Sequence, residues 1–269
     1  MNGEILQICN ITIATKIALK NRNEIKYSPA QYEKETEFIF IDNNKNETES
    51  IKKFLNFFKF KKNTIPYKAK NVDEWYKYCI NRGLKDIKFL IPTSVKNRNF
   101  LGFINTSQAS LVCFFENNLV TFFTPKWEYK NNAWYITYTE HKWENPPKEK
   151  PKFFDNTEDF KNILRRIATF ADKIEFQNFT NIFTKAFDIL DRREIEDNYY
   201  KKYFSILPER NARLFCSAGT SDVFGAMGSW NDSPPCYAAE KGLENEYNNL
   251  SSELLTQIRL ALLYSVNEW

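Results

Sequence analysis

Ser110-Leu111-Val112-Cys113-Phe114-Phe115-Glu116-Asn117-Asn118-Leu119-Val120-Thr121-Phe122-Phe123-Thr124 consists of two short runs of β-branched and aromatic residues divided by an asparagine pair. Such side chains suit a pleated, half-buried surface, and asparagine tolerates the left-handed backbone of a tight hairpin turn. A second pair, Asn131-Asn132, precedes a third run at 134–138. Strands at 110–115, 119–124 and 134–138 are therefore expected, joined as an antiparallel meander.

Upstream the pattern is mixed. Ile11, Ile13, Ile17 and Leu19 fall on odd positions, as in a half-buried strand, with a short helix as the alternative. Residues 37–41 read as a buried strand. Ile51, Phe54, Leu55 and Phe58 repeat at i, i+3, i+4, i+7, one stripe of a helix. Asn71 with Glu74 forms a capping box and Gly83 a stop, so a helix is expected between them. Residues 87–91 resume as a strand that ends at Pro92.

Downstream the period becomes helical. Asn145-Pro146-Pro147-Lys148-Glu149-Lys150-Pro151-Lys152 interrupts both helix and central strand, because proline fixes φ and lacks a backbone donor. Beyond it, Phe160, Ile163, Leu164, Ile167, Ala171 and Ile174 form one apolar face, and Phe179, Ile182, Phe183, Ala186, Phe187 and Leu190 a second. Leu243, Tyr247, Leu250, Leu254, Ile258, Ala261, Leu262 and Val266 form a third. These stripes are core faces of a helical bundle. The expected fold is α+β: a mixed N-terminal region with an antiparallel meander (1–145), a Pro/Lys-rich connector (146–152), and a C-terminal helical bundle packed against it (153–269).

The chain has 269 residues, 42% of them hydrophobic, which is ample for a packed core. No window approaches the roughly 18 apolar residues of a membrane span. Met1-Asn2-Gly3-Glu4 lacks the basic start of a signal peptide. Five scattered cysteines without a CxxC read as reduced thiols, so a cytoplasmic location is expected. The abundance of Lys, Asn, Ile and Phe reads as the drift of an AT-rich, bacterial genome. Residues 1–152 carry 25 basic and 16 acidic side chains, and residues 153–269 carry 13 and 18, which together give the net +4. This asymmetry admits an anionic partner, mutual attraction of the two regions, or a solvated lysine surface.

One segment departs from this background. Four of the seven glycines (Gly219, Gly225, Gly228 and Gly242) fall in or just after the stretch 216–236, which also holds Met227, Trp230, Asn231 and Asp232. Glycine permits positive φ and close approach of a backbone or ligand. Read as a site, the segment offers Trp230 as an aromatic platform, with Asn231, Asp232, Asp222, Gly225 and Gly228 around it. Read as a connector, a helix ends near residue 218, Gly219 is its left-handed cap, Ser221 or Asp222 caps a short next helix, Gly225 and Gly228 let two helices pack closely, and Pro234-Pro235 closes the loop.

Most enzyme signatures are missing. There is no P-loop and no Gly-x-Gly-x-x-Gly. Cys216-x-x-Gly219 lacks the arginine of a phosphate loop, having Asp222 in its place. Gly225-Ala226-Met227-Gly228 lacks the basic context of a KH loop. His141 is the sole histidine, which excludes a two-histidine metal site within one chain, and it falls at the end of the meander. Ser50-x-x-Lys53 has no companion motif. No metal or cofactor is implied. Carboxylate chemistry by Asp222, Asp232 and Glu240 survives as an alternative, possible only if the segment folds back on the terminal helix. A third reading is single-stranded nucleic-acid binding through 52–70, which has seven lysines, no acid and interleaved Phe54, Phe57, Phe58, Phe60 and Tyr67.

The preferred expectation is a partner-binding protein, a toxin-neutralising immunity protein being its specific form, anchored by Trp230 with Trp127, Trp134 and Trp143 as secondary candidates. A carboxylate-dependent hydrolase is the alternative, so an enzymatic role stays open.

Overall fold

A computed structural model describes residues 1–41, 66–191 and 199–269. The expected helix through Ile51 and Phe58, and most of the lysine-rich stretch 52–70, lie outside the described residues. The rest folds as α1 (Gly3–Asn21), β1 (Glu33–Ile39), β2 (Lys68–Ala69), α2 (Val72–Asn81), β3 (Leu84–Leu90), β4 (Ser110–Phe115), β5 (Val120–Lys130), β6 (Ala133–Lys142), α3 (Thr157–Lys173), α4 (Gln177–Leu190), α5 (Glu209–Ser221), α6 (Pro234–Glu240) and α7 (Glu244–Asn267). Short 3₁₀ turns sit at Arg98–Gly102 and Lys201–Ser205.

The six strands form one mixed sheet in the order β2-β1-β6-β5-β4-β3. Strands β3 to β6 are the antiparallel meander, and β1 joins it parallel to β6. Its turns are built as the asparagine pairs imply: Asn118, Asn131 and Asn132 all have φ between 50° and 59°. The capping box of α2 is present in modified form. Asn71 accepts the Glu74 amide at 2.8 Å, whereas the Glu74 carboxylate reaches back past Asn71 to the amide of Lys70. Gly83 takes φ +83° and stops the helix.

The strand expected through Ile11–Leu19 is corrected to the helix α1. Ile8, Cys9, Ile11 and Thr12 are all fully buried, so apolar and small polar residues surround the whole helix and no one-sided stripe marks it. Thr12 and Thr15 return their hydroxyls to the carbonyls of Ile8 and Ile11, which makes them tolerable inside. α1 packs on β3 and β4 and against α7.

The C-terminal helices close a ring of four, with α3 against α4, α4 against α5, α5 against α7 and α7 against α3. Residues from both sides of the Pro/Lys-rich connector share one continuous core. Phe38 stacks between Trp75 and Tyr138 in the sheet half, with centroids 5.0 and 4.8 Å away. The terminal helix also seals the free edge of β3: the Asn267 side chain accepts from the Phe89 amide at 2.9 Å and donates to its carbonyl at 2.7 Å. An amide side chain thus completes a ladder that an edge strand would otherwise leave open.

Candidate functional site

Trp230 lies inside the molecule. It is fully buried, its ring meets those of Phe170, Phe179, Phe183 and Tyr247, and its indole N–H donates to Ser251 at 2.8 Å. Its carbonyl accepts from the Tyr247 hydroxyl at 2.6 Å. An anchor for a partner needs an open face, so the expectation for Trp230 is corrected: it is the centre of the helical core. Trp127 is buried as well, and Trp134 and Trp143 are half-buried.

The surrounding segment is also rearranged. α5 runs through Gly219 to Ser221, so Gly219 caps nothing; a Cβ there would fall 2.5 Å from the Tyr200 ring. Asp222 follows as the C-cap, and the next helix begins at Pro234, which occupies its first turn rather than closing a loop. Gly225 and Gly228 therefore lie on the surface loop between α5 and α6, and neither sits at a close helix–helix contact. Gly228 has φ +77°, and its amide donates to Asp232 at 2.8 Å. Asn231 donates to the carbonyl of Arg98 at 3.0 Å.

The three candidate carboxylates have separate neighbours. Asp222 accepts the amide of Asn2 at 3.4 Å, Asp232 closes its own loop, and Glu240 is exposed at the end of α6. Among the described residues no group of three or more His, Cys, Asp or Glu side chains is arranged for a metal ion. His141 is half-buried, stacks on Phe122 and lies 2.9 Å from the Thr124 hydroxyl.

What the segment does build is a braced double loop. A Cβ on Gly102 would lie 2.8 Å from the Ala226 amide, so the 3₁₀ turn after Asn97 presses directly on the 225–229 backbone. Arg98 ties the pair to α7 through Asn248 (2.9 Å) and Ser252 (2.5 Å). From this platform Met227 projects 93% exposed, with Phe103 at 63%, Phe100 at 59% and Ile104 at 48%.

Beneath the loops, the N-terminus of α1 gathers buried polar groups. The Glu4 carboxylate accepts the Asn105 amide with one oxygen and has no partner for the other among the described residues, although the residue is 3% exposed. Asn105 in turn brackets Trp127, accepting its amide at 2.7 Å and donating to its carbonyl at 3.1 Å. Arg259 is 1% exposed; its Nη1 donates to the Pro92 carbonyl at 2.5 Å, while Nε and Nη2 have no partner among the described residues. Burial lowers the guanidinium pKa from its ordinary value, and the charge of Asp222 opposes that shift. Arg259 lines a narrow cleft of about 20 Å³ with Asn2, Ser107, Asp222, Leu101 and Phe224. Of these polar groups the segment 216–236 contributes Asp222 alone. Glu4 precedes an apolar run, Asn105 opens the polar stretch Asn105-Thr106-Ser107-Gln108, and Arg259 interrupts the apolar last helix; none of the three carries a motif.

A larger cleft of about 570 Å³ lies between the N-termini of α3 and α5. Its cations are already matched, Arg210 with Asp155, Arg213 with Glu209 and Lys161 with Asp191.

Compared with known proteins, the chain matches no family model, and neither a curated protein nor a solved structure is significantly similar to it.

Proposed function

We propose that the chain is a partner-binding protein whose docking surface is the double loop of residues 98–106 and 225–229. The observation that carries this reading is the exposure of Phe100, Phe103, Ile104 and Met227 on two loops held rigid by a backbone contact. Scattered exposed apolar residues need no explanation, but aromatic and methionine side chains grouped on one braced platform form the kind of patch that marks interaction sites. Rigid presentation lowers the ordering cost of association. A protein partner fits better than an anionic membrane surface, because the exposed Asp232, bonded to the Gly228 amide beside the Met227 tip, would oppose approach to acidic lipid.

The thiols favour a reducing, cytoplasmic setting: all five cysteines are free. No helix among the described residues is long and apolar enough to cross a membrane. Neutralisation of a toxin, the immunity role, is one instance of such binding, and the activity of the co-purified partner decides it.

The test is affinity purification from native lysate with wild type and with Phe103→Ser/Met227→Ser. A stoichiometric protein recovered with wild type and lost from an equally stable double variant supports the reading. Equal recovery by both would remove the double loop as the docking surface.

A further inference from the structure

Helix α1 meets water along one strip only. Between Glu4 and Ala18 every residue is buried except Asn10, Ala14 and Ile17, which are half-buried and follow one another at i, i+4, i+7. The strip of a helix that faces solvent is ordinarily polar. Here its middle is Ala14 and Ile17, and asparagine stands at each end, Asn10 and Asn21.

These residues floor a groove of about 460 Å³. One wall is the chain that returns past α1 from Asn23 to Ser28, and the other is the 3₁₀ turn Lys201–Ser205 with Ile206 behind it. Clefts that hold small molecules run from roughly 300 to 1,000 Å³. The groove is open to water, since its floor is half-buried and Ile206 in its wall is 40% exposed. Ala14 and Ala18 have short side chains, so the floor stays low between the walls. From Asn10 to Asn21 it runs about 16 Å along the helix axis.

On the rim stand Lys26 and Lys202, both exposed. Neither has a carboxylate partner among the described residues; Lys202 lies over the rings of Tyr199 and Tyr203. Tyr203 donates its hydroxyl to Asn10, which sets Lys202 at that end of the strip. Glu24, the one acid lining the groove among the described residues, also acts on Lys77 of α2.

Shape and charge then select the occupant. A polar ligand would leave Ile13, Ile17 and Ile206 wetted, and a cationic one would meet both lysines. A long apolar floor below two unpaired cations suits a flexible hydrocarbon chain with an anionic head. We propose that the groove binds a medium-chain fatty carboxylate, its chain laid along Ile13, Ala14 and Ile17 against Ile206 and its head between Lys26 and Lys202. None of the lining residues belongs to the double loop, so this site stands or falls independently of the partner-binding reading.

The probe is decanoate, kept below its micelle concentration and titrated into the full chain carrying labelled isoleucine methyl groups, with decyltrimethylammonium as its cationic counterpart. Decanoate should shift the methyl resonances of Ile13, Ile17 and Ile206 and bind at least tenfold more tightly than the ammonium amphiphile. Each methylene added from hexanoate to decanoate should strengthen binding about two- to fourfold. Ala14→Phe raises the floor from a half-buried position and should abolish the shifts. Lys26→Gln/Lys202→Gln should weaken decanoate about tenfold and remove the preference for the anion. The two lysines lie on the surface, so this variant decides the question even where Ala14→Phe lowers stability. Absence of shifts at the three isoleucines, equal or tighter binding of the cationic amphiphile, or undiminished decanoate binding by the lysine variant would overturn the proposal.

Discussion

Removing the indole of Trp230 would empty a space bounded by four aromatic rings and leave the Ser251 hydroxyl and the Tyr247 ring without their neighbour. Trp230→Ala is therefore expected to cost about 3–5 kcal/mol, read as a fall in the urea midpoint. Met227→Ser, three residues away on the exposed tip, should change stability by no more than about 0.5 kcal/mol. A Trp230 variant of near-native stability would contradict the buried placement. Gly219→Ala tests the same region from the other side: its methyl would run into the Tyr200 ring, and overpacking of this kind costs about 1–3 kcal/mol. At this scale the amino-acid sequence was half legible. Glycines crowded into a Lys-, Asn- and Phe-rich chain do mark unusual backbone, and the double loop is there. Which large residue of the segment faces in or out was not legible. Trp230 and Met227 occupy the same loop, and only the ring of helices α3, α4, α5 and α7 decides between them.

α7 joins the bundle to the sheet, touching α3, α5 and β3. Asn267 near its end completes the β3 edge, and Lys88 pairs with Glu268 at 2.8 Å beside it. Asn267→Ala removes two hydrogen bonds and leaves the amide and carbonyl of Phe89 unpaired, an expected loss of about 1–3 kcal/mol. The same change should raise hydrogen exchange at Phe89 more than at Cys113 in the next strand; unchanged exchange at Phe89 would count against the edge seal. The hairpins and α2 were readable because their signals are local: an asparagine pair at a turn, Asn71 three residues before Glu74, and a glycine at the stop. α1 was not readable for the opposite reason. Its half-exposed face carries Ala14 and Ile17 while its buried faces include Gln7, Thr12 and Thr15, so the one-sided periodicity of a helix is absent, and its alternating isoleucines imitate a strand. The Arg259 cleft was hidden for a related reason, since it is assembled from α1, two loops and α7, and no stretch of sequence contains more than a corner of it.

For the whole molecule, burial of acidic protons sets the pH range of stability. Desolvation pushes the Cys216 thiol and the Tyr32 phenol each up to about 12, and raises Cys9, Cys79, Tyr27, Tyr138, Tyr200 and Tyr203 as well. In the unfolded chain thiols ionise near pH ~8.5 and phenols near ~10. The native state therefore keeps protons that the unfolded state has released. Its stability should be fully present below about pH 8.5 and should fall steadily as pH rises toward about 12. Urea midpoints measured from about pH 7 to 11 check this, and a flat or rising profile would refute it. The same burial predicts thiol reactivity. Cys236 is exposed and the other four cysteines are buried, so one thiol per native chain should label quickly and the rest only on unfolding. Two or more fast thiols would place the core elsewhere.

The most direct measurement is site-specific photo-crosslinking in native lysate from position 227, compared with position 154, where Phe154 is 82% exposed but outside the double loop. Docking on the platform predicts one discrete protein adduct from position 227 that is absent from position 154 and is lost when Phe103→Ser is introduced. No adduct from 227, or the same adduct from both positions, would contradict a docking surface at residues 98–106 and 225–229.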